Sequence, residues 1–333
     1  MNMRLGNGDA SLTTLLSRQS STLKSELTLR TSEMTTGRHS DMAQAVGGDF
    51  SALAAVDHSL ARLKGYAANT IEAGLFTDTL QSALGMISDG AGNLGNQLLN
   101  NQGLSNPTAL DAIASEAGRV FGSTIAALNT RFSDRALFSG VNSQVAPLPD
   151  ADAILTTLQG VTAGAVTAAD VETAIADWFS DPLGYEALYA GGAPRSGAQI
   201  APGETADLSV TALDPALRDT VRDLATAALL GRGVLAGQPQ ARASLAQSAG
   251  SKLLTGGDAR AHLMARVGTV QAQIAAADSR NSAEDSALSI IRAGIVSADP
   301  YDTASRLQEL QTQLEALYLI TARVSRLSLA EYI

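Results

Sequence analysis

Cysteine is absent from the 333 residues, which removes disulfides, thiolate metal sites and cysteine nucleophiles together. Aromatic residues make up 4% of the chain and tryptophan occurs once, so a deep ring-lined ligand pocket has little to be built from. Positive charge is scarce. The formal net charge is -10 and the isoelectric point near 4.8, which argues against a surface that follows nucleic-acid phosphates, and no polybasic cluster offers itself to anionic lipid. No run approaches the ~18 apolar residues of a membrane span. Ser, Thr, Arg and Gln interrupt every apolar stretch between Met1 and Arg30, so neither a cleaved signal nor membrane insertion is expected.

Catalytic constellations are equally scarce. His39, His58 and His262 lack the close spacing that puts metal ligands on one helix face. No G-x-S-x-G elbow occurs and no carboxylate pair stands out from the acidic background. Gly90-Ala91-Gly92-Asn93-Leu94-Gly95 matches G-x-G-x-x-G, but a dinucleotide fingerprint follows a strand and opens a helix, whereas Leu80 to Ile87 ahead of it has helical spacing. The expectation is a chain without cofactor or metal and without enzymatic activity.

What the chain has is apolar residues at helical spacing. Between Ser11 and Met34, Leu12, Leu15, Leu16, Leu23 and Leu27 form the stripe of an amphipathic helix that halts at Thr35-Thr36-Gly37. A polar passage from Arg38 to Asp49 reads as a linker. Helical spacing then runs from about residue 50 to 100, and Ser105 or Asn106 followed by Pro107 predicts a capped helix reaching about Phe132. Beyond Phe138-Ser139-Gly140, prolines and glycines break the periodicity; here Ala168 to Phe179 predicts a short helix and Thr205 to Leu213 a strand. Asp214-Pro215 opens another helix through Leu217, Val221, Leu224 and Ala228 toward Val234. From Leu263 to Ile295 a three-four pattern, interrupted by Asn281 and Glu284, predicts one helix of about forty residues, ~60 Å long. After Asp299-Pro300 comes the most regular heptad of the chain: Leu307, Leu310, Leu314, Leu317, Thr321 and Val324, then Leu327, Leu329, Tyr332 and Ile333.

The order of these segments is symmetric about the irregular middle, which predicts a mainly α, elongated hairpin of long helices with terminal coiled-coil segments and a small mixed α/β outer domain inserted centrally. Its expected divisions are terminal assembly helices at 1–45 and 299–333, a helical bundle from 46–140 and 214–298, and the insert at 141–213. Two isolated helices of this size cannot cover both apolar stripes. Leu12, Leu16, Leu23, Leu27, Leu307, Leu310, Leu314, Leu317, Val324, Leu327 and Leu329 are therefore expected to form an assembly interface with further copies. The first 38 residues carry a charge near +2 and the last 35 near -2, weakly suited to lying side by side.

Three stretches carry a resemblance. Asp299-Pro300-Tyr301-Asp302-Thr303-Ala304-Ser305-Arg306-Leu307-Gln308-Glu309-Leu310, continuing to Tyr318 and closing with Ser325 to Ile333, resembles the C-terminus of flagellar hook-filament junction proteins, the L-type hook-associated proteins related to flagellin. Arg131-Phe132-Ser133-Asp134-Arg135-Ala136-Leu137-Phe138-Ser139-Gly140 looks like the segment by which that family leaves its inner helical domain. Met34-Thr35-Thr36-Gly37-Arg38 is similar to the turn after its first helix. The resemblance implies a structural, motility-related protein exported through the flagellar type III apparatus without signal cleavage and located extracellularly, in the bacterial flagellum. It implies a ring of copies joined to other axial proteins, namely a second hook-associated protein and flagellin, with an export chaperone on the C-terminal helix. A flagellin filament subunit and a non-polymerising coiled-coil adaptor of an export system are the alternatives. The acidic, alanine-rich stretch that flagellins carry after the first helix is blurred here into Ser40-Asp41-Met42-Ala43-Gln44-Ala45, which favours the junction protein.

Overall fold

Alanine- and leucine-rich stretches without proline have little reason to leave the helix, and the observed breaks fall where glycine, proline and short polar caps occur. The computed structural model describes the backbone of residues 6–100 and 107–330 and the side chains of 11–100 and 108–326. The chain is mainly α. Its elements are α1 (Gly6–Thr36), α2 (Met42–Ala45), α3 (Ser51–Asn100), α4 (Pro107–Leu128), β1 (Arg131–Phe132), β2 (Arg135–Ala136), α5 (Ala151–Val161), α6 (Ala168–Ser180), α7 (Tyr185–Leu188), β3 (Ala198–Ala201), β4 (Glu204–Ala206), α8 (Pro215–Leu229), α9 (Pro239–Thr255), α10 (Gly257–Val296) and α11 (Pro300–Ala330).

Two compact units contain them. One comprises residues 1–62 and 283–333, the other residues 63–282. The larger unit is built on α8, whose second half is buried on every side: Leu224, Ala225, Ala227, Ala228 and Leu229 are all closed from solvent. A helix apolar all round must lie inside a layer of others, and α8 packs on α4, α5, α6 and α9. Asp214 caps it by accepting the Ala216 N–H at 3.1 Å, with Pro215 in the first turn. The segment 141–213 contributes Ile154, Leu158, Val171, Ile175 and Tyr185 to the same continuous core as Leu80, Leu94, Phe121 and Leu253 of the long helices.

Sequence spacing and structure part in three places. Helix α4 ends at Leu128 rather than near Phe132, because Arg131 to Ala136 forms a tight hairpin whose corner residues Ser133 and Asp134 both take left-handed backbone angles. The strand expected over 205–213 is limited to Glu204–Ala206, paired antiparallel with β3. Leu208, Val210 and Ala212 do alternate inward, but the Ala212 N–H goes to the Phe138 carbonyl and the Ser209 N–H to Asp207, so extended backbone lies on the core without a ladder. Helix α8 stops at Leu229; a single 3-10 turn (Leu230–Arg232) and Gly233, with φ of 84°, turn the chain before Val234. Ser105 and Asn106 lie outside the described residues.

Two features unreadable from periodicity hold β3 and β4 on α10. Asn281 donates to the Ile200 carbonyl at 2.8 Å, and Arg280 pairs with both Glu204 oxygens. The polar interruption of the α10 heptad at Asn281 is thus the buried amide that fixes the hairpin. The glycines of Gly90 to Gly95 lie in mid-helix in α3, and a Cβ on Gly95 would stand 3.0 Å from Leu254 and 3.2 Å from the Gly250 carbonyl oxygen. Gly95 thus serves close approach of α3 and α9, whereas a Cβ on Gly90 would meet Val120 of α4 and one on Gly92 would meet nothing.

Candidate assembly interface

The smaller unit is organised by two helices of 31 residues each, α1 and α11. Each begins or ends on a local signal. Helix α1 stops at Gly37, whose φ of 67° is costly for a side chain and whose N–H bonds the Glu33 carbonyl at 2.8 Å. Helix α11 starts at Asp299, which accepts the Tyr301 and Asp302 N–H groups ahead of Pro300 in the first turn. The Ala298 N–H reaches the Gly37 carbonyl at 3.1 Å, and Arg38 bridges Ser297 in antiparallel sense. The end of α1 is thereby tied to the start of α11, and the two helices run antiparallel.

Along this pair, Leu23, Leu310 and Leu317 are buried, with Leu16, Leu27 and Leu314 packed against them. These are six of the eleven residues expected at the interface, and the structure brings them together within one chain. Lys24 lies over the Tyr318 ring, 5.7 Å from its centre, at the edge of the seam. Leu307 and Val324 are half-buried outside this cluster, and Leu12 stays 44% exposed. The side chains of Leu327 and Leu329 lie outside the described residues, as do Tyr332 and Ile333. Other apolar side chains remain open to solvent: Leu15 on α1, and Leu319 and Ile320 on α11, of which Leu319 is 73% exposed.

Spacing did not reveal Glu33. Its side chain is only 2% exposed; it accepts Arg30 at 2.6 Å and the Ser40 N–H at 3.0 Å, with His39 Nδ1 3.7 Å away. Burial pushes its pKa up, but the Ser40 N–H and the charges of Arg30 and His39 outweigh burial and hold the carboxyl below its ordinary value. An acidic residue in the last turn of a helix opposes the helix dipole, and that misplaced charge is the sequence signal that could have exposed it.

Residues 259–333 match the family model of the bacterial flagellin C-terminal helical region. This stretch is flagellin-like. It includes α11 and nearly all of α10, and so carries one full partner of the terminal seam. Among solved structures, the chain is similar to a protein described as a flagellar hook-associated protein from Vibrio parahaemolyticus, at 14% identity and a TM-score of 0.48, covering 72% of this chain and 94% of that one. It is also similar to FlgL from Bacillus cereus, at 16% identity and a TM-score of 0.48, covering 70% and 96%. Comparison with curated protein sequences gives no match.

No group of three or more histidine or carboxylate side chains placed to hold a metal occurs among the described residues. No described helix is long and apolar enough to cross a membrane.

Proposed function

We propose that this chain is a structural subunit of the bacterial flagellum, forming the junction between hook and filament by assembling through its terminal helices. The observation that carries this reading is the α1–α11 seam, one of whose partners lies wholly in the flagellin-like region, together with the apolar side chains of Leu15, Leu319 and Ile320 that the seam leaves uncovered. Exposed apolar surface of this kind is costly in water unless neighbouring copies cover it. Head-to-tail packing of such pairs closes into a ring or winds into a tube. The terminal apolar residues then divide their work: Leu23, Leu310 and Leu317 hold the pair within a copy, and Leu12, Leu15, Leu319 and Ile320 face the next copy.

The finer parts of the reading follow from the terminal resemblance. The subunit leaves the cytoplasm through the flagellar export apparatus, a chaperone covers α11 before export, and the partners outside the cell are a second hook-associated protein on one side and flagellin on the other. It is not an enzyme. A flagellin subunit would share the same C-terminal region, and the blurred acidic stretch at Ser40 to Ala45 is what favours the junction protein.

Replacement of the native chain by Leu314→Asp in a flagellated cell tests the assembly role. The substitution places a charge at the edge of the seam, so cells should carry hooks without filaments in electron micrographs, while the melting of residues 63–282 in the purified variant stays unchanged. Normal filaments on that variant would overturn the reading. Wild-type protein that elongates into filaments from seeds without partners would assign it to flagellin instead.

A further inference from the structure

The larger unit carries an exposed apolar turn and an apolar groove, here called the knob and the hole, whose flanking charges differ in sign. The knob is the turn between α6 and α7. Leu183 there is 85% exposed, the most exposed large apolar side chain among those described. The turn is braced: the Asp181 N–H bonds the Asp177 carbonyl at 2.8 Å, Asp181 Oδ1 accepts the Leu183 N–H at 2.9 Å, and the Gly184 N–H returns to the Asp181 carbonyl at 2.9 Å. A Cβ on Gly184 would overlap the Trp178 carbonyl oxygen, and Phe179 and Tyr185 stack directly beneath with ring centres 4.9 Å apart. The tip is surrounded by exposed acids, Asp177, Asp181 and Glu186.

The hole is a groove of about 590 Å³ between α3 and the β1–β2 hairpin, floored by Ile71, Leu75, Phe76 and Phe132 and rimmed by Arg135 and Arg195. Ile71 and Leu75 are exposed there although they are large and apolar. Arg135 is engaged by Glu72 at 3.2 Å. Arg195 lies over the Phe76 ring, 5.0 Å from its centre, and makes no ion pair among the described residues. The groove is thus apolar at its base, and since Glu72, which also lines it, is paired with Arg135, Arg195 is left as its surplus positive charge, in a chain whose net charge is -10.

We infer that the Leu183 turn of one copy docks in the Ile71–Leu75 groove of a second copy, with the acids of the turn facing Arg195. Burial of an apolar knob that is already rigid loses little conformational freedom, and the opposite charges set its orientation. Knob and hole are different surfaces of one chain, so the contact is head-to-tail and propagates from copy to copy. It adds a second contact to an assembly held by the terminal helices, and it does not depend on them.

The natural absence of cysteine makes a direct test simple. Full-length Leu183→Cys and Leu75→Cys are mixed in equal amounts under mild oxidation. As a control, Val166→Cys, another exposed apolar position of the same unit, replaces Leu183→Cys. The Leu183→Cys and Leu75→Cys pair should form its mixed disulfide ~10-fold faster than the control pair, and Arg195→Glu in the Leu75→Cys partner should remove most of that excess. The excess should survive Leu319→Asp in both chains, which separates this contact from the terminal one. Equal rates for test and control pairs overturn the docking and leave the terminal assembly untouched; an excess that disappears with Leu319→Asp also overturns it, because the second contact would then have no existence of its own.

Discussion

At the scale of single residues, two buried carboxylates respond to pH in opposite directions. Glu33 is held below its ordinary pKa, so its contribution to the smaller unit is full above the unfolded value near 4.5 and is lost as pH falls through the lower folded value. In Asp223 burial dominates over the neighbouring Arg222 and raises the pKa. Keeping Asp223 ionised therefore costs stability at neutral pH, and that cost is relieved as pH falls through the raised value. Glu33→Gln removes the charge while leaving an acceptor for Ser40. It should destabilise the smaller unit by ~1.5–3 kcal/mol, as expected for a hydrogen bond to a charged group, and flatten its loss of stability below pH 4.5. Thermal melts of the variant at pH 7 and pH 4 check both parts, and an unchanged melt at pH 7 would refute the clamp. Spacing marks neither carboxylate: Glu33 shows in the sequence only as an acid in the last turn of a helix, and Asp223 is distinguished by burial and partners alone.

At the scale of elements, the long helices were legible and their ends less so. Alternating steps of three and four residues survive in α10 and α11 because each lays a single stripe against a neighbour, and Asp214-Pro215 and Asp299-Pro300 act as caps by local hydrogen bonding alone. The hairpin at Arg131 to Ala136 and the bare extended segment at 207–213 were not legible, since both are shaped by distant partners such as Phe138 and Ser143. The α1–α11 seam was visible as two leucine stripes, but its division into buried and open side chains needed the helices in place. That division predicts contrasting variants. Leu317→Ala should lower the stability of the smaller unit by ~2–3 kcal/mol, within the range for a buried leucine, whereas Leu319→Asp should leave its melting unchanged and still block assembly. Calorimetry and sedimentation of the two proteins separate the roles; equal thermal loss in both would mean that Leu319 is not open to solvent. Where α9 meets α3 in the larger unit, a Cβ at Gly250 would stand 2.7 Å from the Leu98 Cβ. Gly250→Ala should therefore cost ~1–3 kcal/mol by forcing α9 away from α3, despite the better helix propensity of alanine, and a stabilised variant would refute that contact.

At the scale of the whole molecule, the two units differ in how much they bury. The core of residues 63–282 runs continuously through helices from both halves of the chain and through the segment between them, while among the described residues the core cluster of the smaller unit is Leu23, Leu310 and Leu317 with three flanking leucines. Local stability follows such differences in buried apolar area. The smaller unit should open first, which suits a part whose remaining apolar surface is to be covered by other copies. Limited trypsin digestion of the free chain should cut early at Arg18, Lys24 and Arg30 and at Arg306 and Arg323. The surviving fragment should begin near Arg62 or Lys64 and end near Arg280 or Arg292. In the assembled state the early sites should become protected, because neighbours cover Leu15, Leu319 and Ile320. Equal resistance of the two units in the free chain would mean that the seam is complete within one molecule, and the adaptor reading would then replace assembly through the terminal helices.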